Sequence, residues 1–372
     1  MERRIGATRD GDDVSSNASV LLAAESASAA NSGIGRVTRL MVKVLQEEAR
    51  SGGLRARLLS LNDSSPPAET ELPVTLARGS RARFLVEATR ARASCSHFIY
   101  DFLGMSRAHL PLPFLRRPFM TWIHGIEVWE GSRAARRSAA RRAEYLVVNT
   151  EYTRDRASRL LPFVQEARVC WLATEGDEPG PQRDRTDRRP TVLILARIDE
   201  GGGYKGHREL ITCWPKVVDA VPDARLIVGG KGPGLDVLRG LAAESSAGES
   251  IEFRGFIPEE EIDALWREAT VFAMPSRGEG FGIVYAEAMR RGIPVIGSVH
   301  DAAREVNVDG ETGYNVDLDD PAELPDRMIH LFRDRDHAHE LGERGRARWH
   351  EHFRFSSFRE RFTPLLHEFL ES

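Results

Sequence analysis

The stretch Pro275–Gly292 reads PSRGEGFGIVYAEAMRRG and carries two glutamates, Glu279 and Glu287. The apolar run Ala269–Met274 before it has the length of a buried strand, and the apolar positions after Gly282 follow a helical spacing. This part of the chain is therefore predicted to form a strand, a glycine loop and a helix, with one carboxylate in the loop and one in the helix.

The predicted helix start favours an anionic ligand. Backbone N–H groups are free in the first turn of a helix, and glycines let a phosphate approach the backbone closely. Glu279 and Glu287 would repel a phosphate, so we expect their carboxylates to bind hydroxyl groups of a sugar or a ribose. A solvated helix face that follows a plain glycine turn is the alternative for this motif alone.

Length and composition predict a globular protein of two domains. The chain has 372 residues, of which 41% are hydrophobic and 29% charged. No apolar run in the sequence approaches the roughly 18 residues of a membrane span. The polar residues 1–17 are expected to be a disordered tail without a signal-peptide core. Three cysteines without paired spacing are expected to be free thiols, which favours the cytoplasm.

Charge is distributed unevenly along the chain. Residues 1–175 contain 26 Lys and Arg against 19 Asp and Glu, a net charge of +7, whereas 176–372 contain 26 against 37, a net charge of −11. We therefore expect the basic N-terminal half to make peripheral contact with the anionic inner face of a membrane. No nucleic-acid partner is expected. Two segments would make this membrane contact, Arg107–Met120 and Arg133–Tyr145. The alternative for both is an ordinary surface that is either solvated or packed on the domain.

Strand and helix patterns alternate through both halves, which predicts parallel sheets covered by helices. The strands expected in the first half are Ser19–Ala24, Leu54–Ser60, Ser96–Tyr100, Pro118–Ile123, Tyr145–Asn149 and Ala167–Leu172. The polar stretch 176–190 contains prolines and glycines and is the expected linker. The strands expected after it are Thr191–Ile198, Ala224–Gly230, Ile251–Phe256 and Ala269–Met274.

Two glycines and a histidine in the first half are candidate ligand-binding residues. Gly33 and Gly35 lie between the first strand and a predicted helix that runs to Arg50, where the backbone could approach a diphosphate or a sugar. A tight turn is the alternative, because an isolated G-x-G is weakly specific. His124 follows a predicted strand, at the edge where open α/β sheets bind ligands. A purely structural hydrogen bond is the alternative for this histidine.

Two cations in the second half suit a diphosphate. Arg197 lies near the end of a predicted strand, and Lys205 lies in a glycine-rich loop. Only four lysines occur beside 48 arginines, so a lysine in such a loop indicates a specific use. Together the two charges would stabilise a departing diphosphate. The later loop Gly229–Gly234 is similar to a dinucleotide fingerprint but lacks the usual acidic residue.

The order and spacing of these motifs resemble the family 4 retaining glycosyltransferases, from about Val192 to Leu366 and more weakly before that. The resemblance implies a GT-B fold of the α/β class, with two doubly wound Rossmann-like domains facing across a cleft. The implied boundaries are 18–175 for the acceptor-side domain, 176–190 for the linker, 191–354 for the nucleotide-sugar domain and 355–372 for a helix that crosses back to the first domain.

The resemblance also implies a role for each candidate residue. Glu279 would contact the donor sugar, Glu287 the ribose, and His124 the sugar near the reaction centre. The residues implied in catalysis are His124, Glu279, Arg197 and Lys205. The residues implied in donor binding are Gly33, Gly35, Arg197, Lys205, Gly255, Phe256, Glu279, Gly280, Phe281, Gly282, Ile283, Val284 and Glu287.

The implied reaction moves a sugar from a UDP- or GDP-sugar to a hydroxyl acceptor with retained anomeric configuration, as in bacterial exopolysaccharide, lipopolysaccharide or glycolipid assembly. A secondary-metabolite acceptor stays open. No cofactor or metal is expected, because the cations carry the charge and the strings Asp317–Asp319 and Asp334–Asp336 follow the site. A front-face displacement is the hypothesis. The alternatives are a nucleotide-sugar epimerase on the same fold and a non-catalytic nucleotide-sugar-binding protein.

Overall fold

The computed structural model describes residues 18–28, 33–129, 134–181, 188–201 and 204–372. Outside these ranges lie the expected tail at 1–17, part of the expected linker, and parts of two loops, one before Gly33 and one before Lys205. The chain forms two compact units. The first contains the described residues of 1–122, 133–147 and 359–372, and the second those of 123–132 and 148–358.

The first sheet is built from strands that connect through helices. Within the described ranges its strands are β1 Ser19–Ala24, β2 Arg55–Ser60, β3 Val74–Leu76, β4 His97–Tyr100, β5 Phe119–Ile123, β6 Tyr145–Val148 and β7 Arg168–Val169. Their order across the sheet is β3-β2-β1-β4-β5-β6-β7, and β1 pairs in parallel with both β2 and β4. The helices are α1 Gly33–Arg50, α2 Arg81–Ala91, α3 Ile126–Trp129, α4 Ala134–Arg142 and α5 Glu151–Ser158.

The second sheet repeats this plan. Its described strands are β8 Thr191–Leu195, β9 Arg225–Gly229, β10 Ile251–Gly255, β11 Val271–Ala273, β12 Val295–Ser298 and β13 Gly313–Val316, in the order β10-β9-β8-β11-β12-β13. Each of these strands pairs in parallel with its neighbours in the sheet. The helices are α6 His207–Ala220, α7 Leu235–Ala243, α8 Glu259–Glu268, α9 Ile283–Arg290, α10 Ala303–Val306, α11 Glu323–Arg333, α12 Arg335–His352 and α13 Phe355–Leu370.

Continuous burial explains why these strands are apolar throughout rather than alternating. Every residue of β1 and β12 is buried, as expected for parallel strands covered by helices on both faces. The helices contribute one apolar face each; α1 buries Val37, Leu40 and Leu45. The two-sheet α/β architecture predicted from the sequence is therefore confirmed. Among the described helices, none combines the length and the apolar character needed to cross a bilayer.

The expected first domain differs from the first unit at two segments, the described residues of 123–132 and residues 148–175. Residues 148–175 were expected in the first domain, whereas here they group with the second unit. Hydrogen bonds inside that unit account for the grouping: Thr150 Oγ1 donates to the carbonyl of Gly280 at 2.9 Å, and Glu305 accepts from the Tyr152 N–H. The last helix, α13, starts among residues of the second unit, and its residues from Arg359 onward group with the first.

Candidate active site

The second sheet presents a natural ligand-binding position between β8 and β11. The strand order reverses there, because β8 leads on to β9 on one side and pairs with β11 on the other. In open α/β sheets, ligands bind beyond the carboxyl ends of the strands at such a point. Arg197 follows β8, and Glu279 follows β11. Lys205 lies in the segment that leads from β8 into α6.

Lys205 and Glu279 form an ion pair at this edge. The Lys205 Nζ donates to Oε2 of Glu279, and the two side chains are only 12% and 18% exposed. The other carboxylate oxygen, Oε1, accepts the backbone N–H of Gly280 at 3.1 Å. Because water is largely excluded, the pair is stronger than a surface ion pair, and each charge depends on the other.

The two members of this pair shift each other's ionisation. Burial raises the pKa of Glu279, but the Lys205 charge and hydrogen bond, together with the N–H groups of Phe281 and Gly280, outweigh burial and hold the pKa below its usual value. Burial lowers the pKa of Lys205, but Glu279, with smaller contributions from Tyr204 and Asp301, outweighs burial and raises the pKa. Both groups are therefore ionised at neutral pH. The site offers one cation that a phosphate could compete for and one carboxylate that a sugar hydroxyl could reach.

Backbone contacts hold the glycine loop against the Lys205 segment. The carbonyl of Tyr204 accepts from the Ser276 hydroxyl at 3.0 Å and from the Arg277 N–H at 2.9 Å. The Ser276 hydroxyl also accepts the N–H of Gly278 at 3.1 Å. These bonds fix Lys205 and Glu279 relative to each other through the main chain rather than through the ion pair alone.

A buried aspartate, Asp301, accepts hydrogen bonds that hold the Glu279 loop in place. Its Oδ2 accepts the Glu279 N–H and its Oδ1 accepts the Ala303 N–H, each at 2.9 Å. Burial raises the pKa of Asp301 to about 7, and the nearby Glu279 charge adds to that shift. Sequence reasoning missed this residue. Its position just after the apolar strand β12 was the available signal, because that is where the other site residues also lie.

The raised pKa of Asp301 predicts a specific pH dependence of stability. The folded protein holds the Asp301 proton more tightly than the unfolded chain, so this stabilising contribution is fully present below pH 4 and is lost as the pH rises through about 7. We expect the unfolding free energy of wild type relative to Asp301→Asn to fall by up to about 1.4 kcal/mol per pH unit between pH 4 and 7.

Urea unfolding of both proteins across that range is the measurement. Asp236→Asn is the control, because the Asp236 side chain is 93% exposed. A rise with pH, between pH 4 and 7, in the unfolding free energy of wild type relative to Asp301→Asn would contradict this prediction. Asp301 would then not be a buried carboxyl that keeps its proton in the folded protein.

His124 lies beside the same loop, within the second unit. Gly280 packs directly against the His124 carbonyl oxygen, and a Cβ at this glycine would overlap that oxygen. Asn149 Nδ2 donates to His124 Nδ1 at 3.0 Å, and the His124 N–H donates to Glu127 at 2.7 Å. An amide nitrogen only donates, so the neutral His124 ring carries its proton on Nε2. Asn149, which sequence reasoning also missed, thus sets the tautomer.

The start of α9 supplies free backbone donors next to Glu279. Gly282 takes a left-handed conformation with φ of 83°, which turns the chain from the loop into the helix. The N–H groups of Ile283 and Val284 make no hydrogen bond to any described residue. Glu287 lies one turn further along and is half-buried. This arrangement can bind an anion at the helix start and a hydroxyl group nearby.

The structure does not bring every predicted residue to this place. Arg197 is exposed and makes no hydrogen bond or ion pair with any other residue in the described ranges. Gly255 is the last residue of the edge strand β10 and Phe256 follows it; Lys231 Nζ lies 4.4 Å from the centre of the Phe256 ring. Gly33 and Gly35 open α1 in the first unit. The roles of these residues stay predictions.

One group of side chains in the described ranges has a spacing that a metal ion could use. His300, Asp317 and Asp319 offer ligand atoms within 4.8 Å of one another. Asp319 is exposed and accepts from Arg277 at 2.8 Å, which already balances its charge. The expectation that the reaction needs no metal stays a prediction.

Sequence comparisons identify relatives of the chain. The family described as "Glycosyl transferases group 1" matches residues 181–348. A GDP-mannose-dependent alpha-(1-6)-phosphatidylinositol monomannoside mannosyltransferase of Mycobacterium tuberculosis is 33% identical over 250 residues, covering 61% of this chain and 64% of that relative. A GDP-mannose-dependent monoacylated alpha-(1-6)-phosphatidylinositol monomannoside mannosyltransferase of Corynebacterium glutamicum is 30% identical over 265 residues, covering 65% and 68%. The chain thus matches less than two thirds of the mycobacterial relative's length.

Solved structures show the same fold. Anabaena Alr3699/HepE in complex with UDP-glucose matches with a TM-score of 0.77 and 16% identity, covering 94% of this chain and 99% of that one. Sucrose-phosphate synthase from Thermosynechococcus elongatus matches with a TM-score of 0.73 and 18% identity, covering 94% and 98%. With the two parallel sheets, these matches confirm the predicted GT-B fold. The chain belongs to the group 1 glycosyltransferases, the family 4 enzymes of bacterial glycan synthesis.

Proposed function

We propose that the protein is a retaining hexosyltransferase that uses a nucleotide diphosphate sugar and needs no metal. The observation that carries the proposal is the enclosed Lys205–Glu279 pair at the carboxyl edge of the second sheet, beside the free N–H groups of α9. A cation and a helix start stabilise a departing diphosphate, and a carboxylate orients the sugar that leaves it. Arg197, close by in sequence and exposed, adds a second cation when the donor is bound.

The proposed reaction is a front-face displacement. The bond between the anomeric carbon and the diphosphate oxygen breaks, and the electron pair stays with the diphosphate. The acceptor oxygen bonds to the anomeric carbon on the same face, and the acceptor proton passes to the departing phosphate oxygen. Lys205 and the α9 N–H groups stabilise the developing negative charge. His124, with its proton on Nε2, donates to a sugar hydroxyl and fixes the ring at the reaction centre.

The relatives favour a GDP-sugar over the other donors. Both mannosyltransferases described above are named as GDP-mannose-dependent, which supports GDP-mannose as the first donor to test. The Anabaena structure holds UDP-glucose, which makes a UDP-sugar the second candidate. Both relatives are named for phosphatidylinositol mannosides, and this supports a lipid-linked hydroxyl acceptor and peripheral contact with the membrane that carries it. An epimerase is not favoured, because these relatives are transferases.

Chelation tests the metal-independent part of the proposal. Because Lys205 and a helix start supply the positive charge, incubation with EDTA followed by gel filtration is expected to leave the transfer rate unchanged within twofold. Magnesium or manganese added back is expected to have no effect. A tenfold loss on chelation that manganese restores would contradict this part and direct attention to His300, Asp317 and Asp319.

Proton NMR of the product tests the reaction class. The protein is incubated with GDP-mannose, in which mannose is α-linked, and octyl α-mannoside as the acceptor probe. We expect an α-linked dimannoside and one GDP released per bond formed. A β-linked product would exclude retention. Conversion of the nucleotide sugar into its epimer without use of the acceptor would favour the epimerase. Nucleotide binding without turnover of GDP-mannose or UDP-glucose would favour the non-catalytic protein.

A further inference from the structure

We infer that the amino-terminal edge of the first sheet docks on an anionic lipid bilayer, with Phe114 inserted among the lipids and arginines on the headgroups. We define the amino-edge patch as Arg55, Arg57, Phe114, Leu115 and Arg117. This inference rests on the proposed membrane contact and names the surface that makes it. It needs neither a particular donor nor a particular acceptor.

The patch carries positive charge without an acidic partner. Arg55 starts β2 and Arg57 follows it on the same strand; both are exposed, and neither forms an ion pair with a described carboxylate. Arg117 precedes β5, and its Nε donates to a backbone carbonyl. All three charges act on one buried group, Cys95, where burial raises the thiol pKa and the three arginines oppose that rise. Because β2 and β5 run parallel with β1 and β4 between them, the starts of both strands, and with them the three arginines, lie at the same edge of the sheet.

Two further arginines increase the positive charge behind the patch. Arg92 is buried, with 1% of its surface exposed, and it binds only backbone carbonyls among the described residues. Burial lowers the pKa of Arg92, and the charges of Arg142 and Arg117 lower it further. Mutual repulsion of this kind disfavours the folded protein unless an anion offsets it. A surface that faces negative headgroups supplies that anion.

The apolar part of the patch is held rigidly in solvent. Phe114 is 99% exposed and Leu115 is 43% exposed. Arg92 donates to the carbonyls of Leu110 and Leu115, at 2.6 and 3.1 Å, so both ends of this short loop are fixed from the interior. Two prolines, Pro111 and Pro113, restrict the chain between them. An exposed aromatic ring on a fixed loop inserts into lipid at little entropic cost.

A groove suited to a headgroup lies beside the arginines. It measures about 490 Å³, and its lining includes Arg55, Arg57, Ser19 and Ser94, with Glu71 at one side. The Glu71 carboxylate is already paired with Arg50 at 2.5 Å. A lipid phosphate could therefore bind Arg55 and Arg57 without an unbalanced acidic neighbour. Guanidinium groups suit phosphate because they bind it through two parallel hydrogen bonds.

The location of the patch leaves the opposite edge of the same sheet accessible. The patch residues precede or begin β2 and β5, whereas Gly33 and Gly35 follow the carboxyl end of β1. In a parallel sheet, ligands bind at the carboxyl ends. Docking by the amino edge therefore leaves the ligand-binding edge uncovered, and an acceptor carried by the same membrane has to extend from the bilayer to the opposite edge of the sheet.

Vesicle co-sedimentation of the 372-residue chain tests the inference. The probes are vesicles of phosphatidylcholine with 30% phosphatidylglycerol and vesicles of phosphatidylcholine alone. Wild type is expected to bind the anionic vesicles and to be released by 0.5 M NaCl. Phe114→Ser should weaken binding about tenfold. The double variant Arg55→Gln/Arg57→Gln should weaken it about 25-fold, since each arginine near an anionic surface contributes about fivefold.

Two controls carry the same chemistry elsewhere on the surface. Val237→Ser removes another exposed apolar side chain, 49% exposed, and Arg344→Gln removes an arginine already paired with Glu340. Both should bind vesicles within twofold of wild type. Equal binding by wild type, Phe114→Ser and the arginine double variant would overturn the inference, as would binding to neither vesicle. If RNA bound the patch while the anionic vesicles did not, the partner would be a nucleic acid and the membrane inference would fail.

Donor binding separates this inference from the proposed function. The patch variants should keep the wild-type melting temperature and the wild-type shift of that temperature with GDP, because the changed side chains are exposed and lie in the first unit. Lost vesicle binding with an unchanged GDP shift supports the patch alone. An absent GDP shift in wild type, with vesicle binding intact, would count against the proposed function and leave the patch standing.

Discussion

Replacing Lys205 with methionine is expected to lower the rate of sugar transfer by about 10²–10³-fold, since preorganised charge at a leaving group contributes that much in other enzymes. The methionine side chain keeps the length and apolar stem of lysine but removes its charge. Glu279, only 18% exposed, would lose the partner that holds its pKa down, so the carboxyl would become easier to protonate. The variant thus affects both the diphosphate and the sugar hydroxyls. The measurement is nucleotide release from GDP-mannose with octyl α-mannoside present.

Lys216→Met provides a matched control. Lys216 is also paired with a carboxylate, Asp326 at 2.7 Å, but the two side chains are 52% and 57% exposed. Its loss should change neither the transfer rate nor donor affinity by more than twofold, because exposed pairs contribute little. A double-mutant cycle with Glu279→Gln should show strong coupling to Lys205. A Lys205→Met enzyme within fivefold of wild type would remove Lys205 from the mechanism.

Replacing Gly280 with alanine is expected to cost about 1–3 kcal/mol of unfolding free energy, the usual cost of overpacking. The added Cβ would overlap the carbonyl oxygen of His124, and neither backbone has a flexible end that could move aside. The hydroxyl of Thr150 also holds the Gly280 carbonyl in place. Displacing this contact moves Glu279 relative to His124, so the transfer rate should fall about 10²-fold even in the folded fraction.

Gly240→Ala is the control for this substitution. Gly240 lies within α7, and an added Cβ there meets nothing within 4 Å. Alanine is favoured over glycine inside a helix, so stability should rise by roughly 0.5–1 kcal/mol with no change in activity. Thermal and urea unfolding of the two variants compare the effects. If Gly280→Ala were as stable and as active as Gly240→Ala, the close approach of the loop to His124 would matter neither for stability nor for the transfer rate.

Periodicity and apolar runs were sufficient to predict most of the fold. The strand expected at Ser19–Ala24 has those same bounds in the structure, and the helix expected within 355–372 spans Phe355–Leu370. The short strands Val74–Leu76, Val295–Ser298 and Gly313–Val316 were not predicted. Strands of three or four residues are too short to show a period. Their pairing with a neighbour in the sheet, rather than their own sequence, is what defines them.

The candidate site was predictable where the chain supplies adjacent glycines and charges, and not where support comes from a distance. Lys205 and Glu279 could be named because a lone lysine and a glutamate in glycine loops are unusual. Asn149 and Asp301 were missed although both come after apolar strands, because that position alone does not distinguish them from structural polar residues. Only the folded chain shows that Asn149 Nδ2 lies 3.0 Å from His124 Nδ1 and that Asp301 accepts the Glu279 N–H. Such supporting residues depend on tertiary contacts that local patterns do not encode.

The central claim is that Lys205, Glu279 and the start of α9 bind the diphosphate of a nucleotide sugar. Isothermal titration of GDP, UDP and ADP into wild type, Lys205→Met and Lys216→Met tests it most directly. We predict that one nucleotide, GDP first, binds wild type and Lys216→Met equally and binds Lys205→Met at least tenfold more weakly. Equal affinity for all three proteins, or no binding of any nucleotide at millimolar concentration, would contradict the assignment of the site.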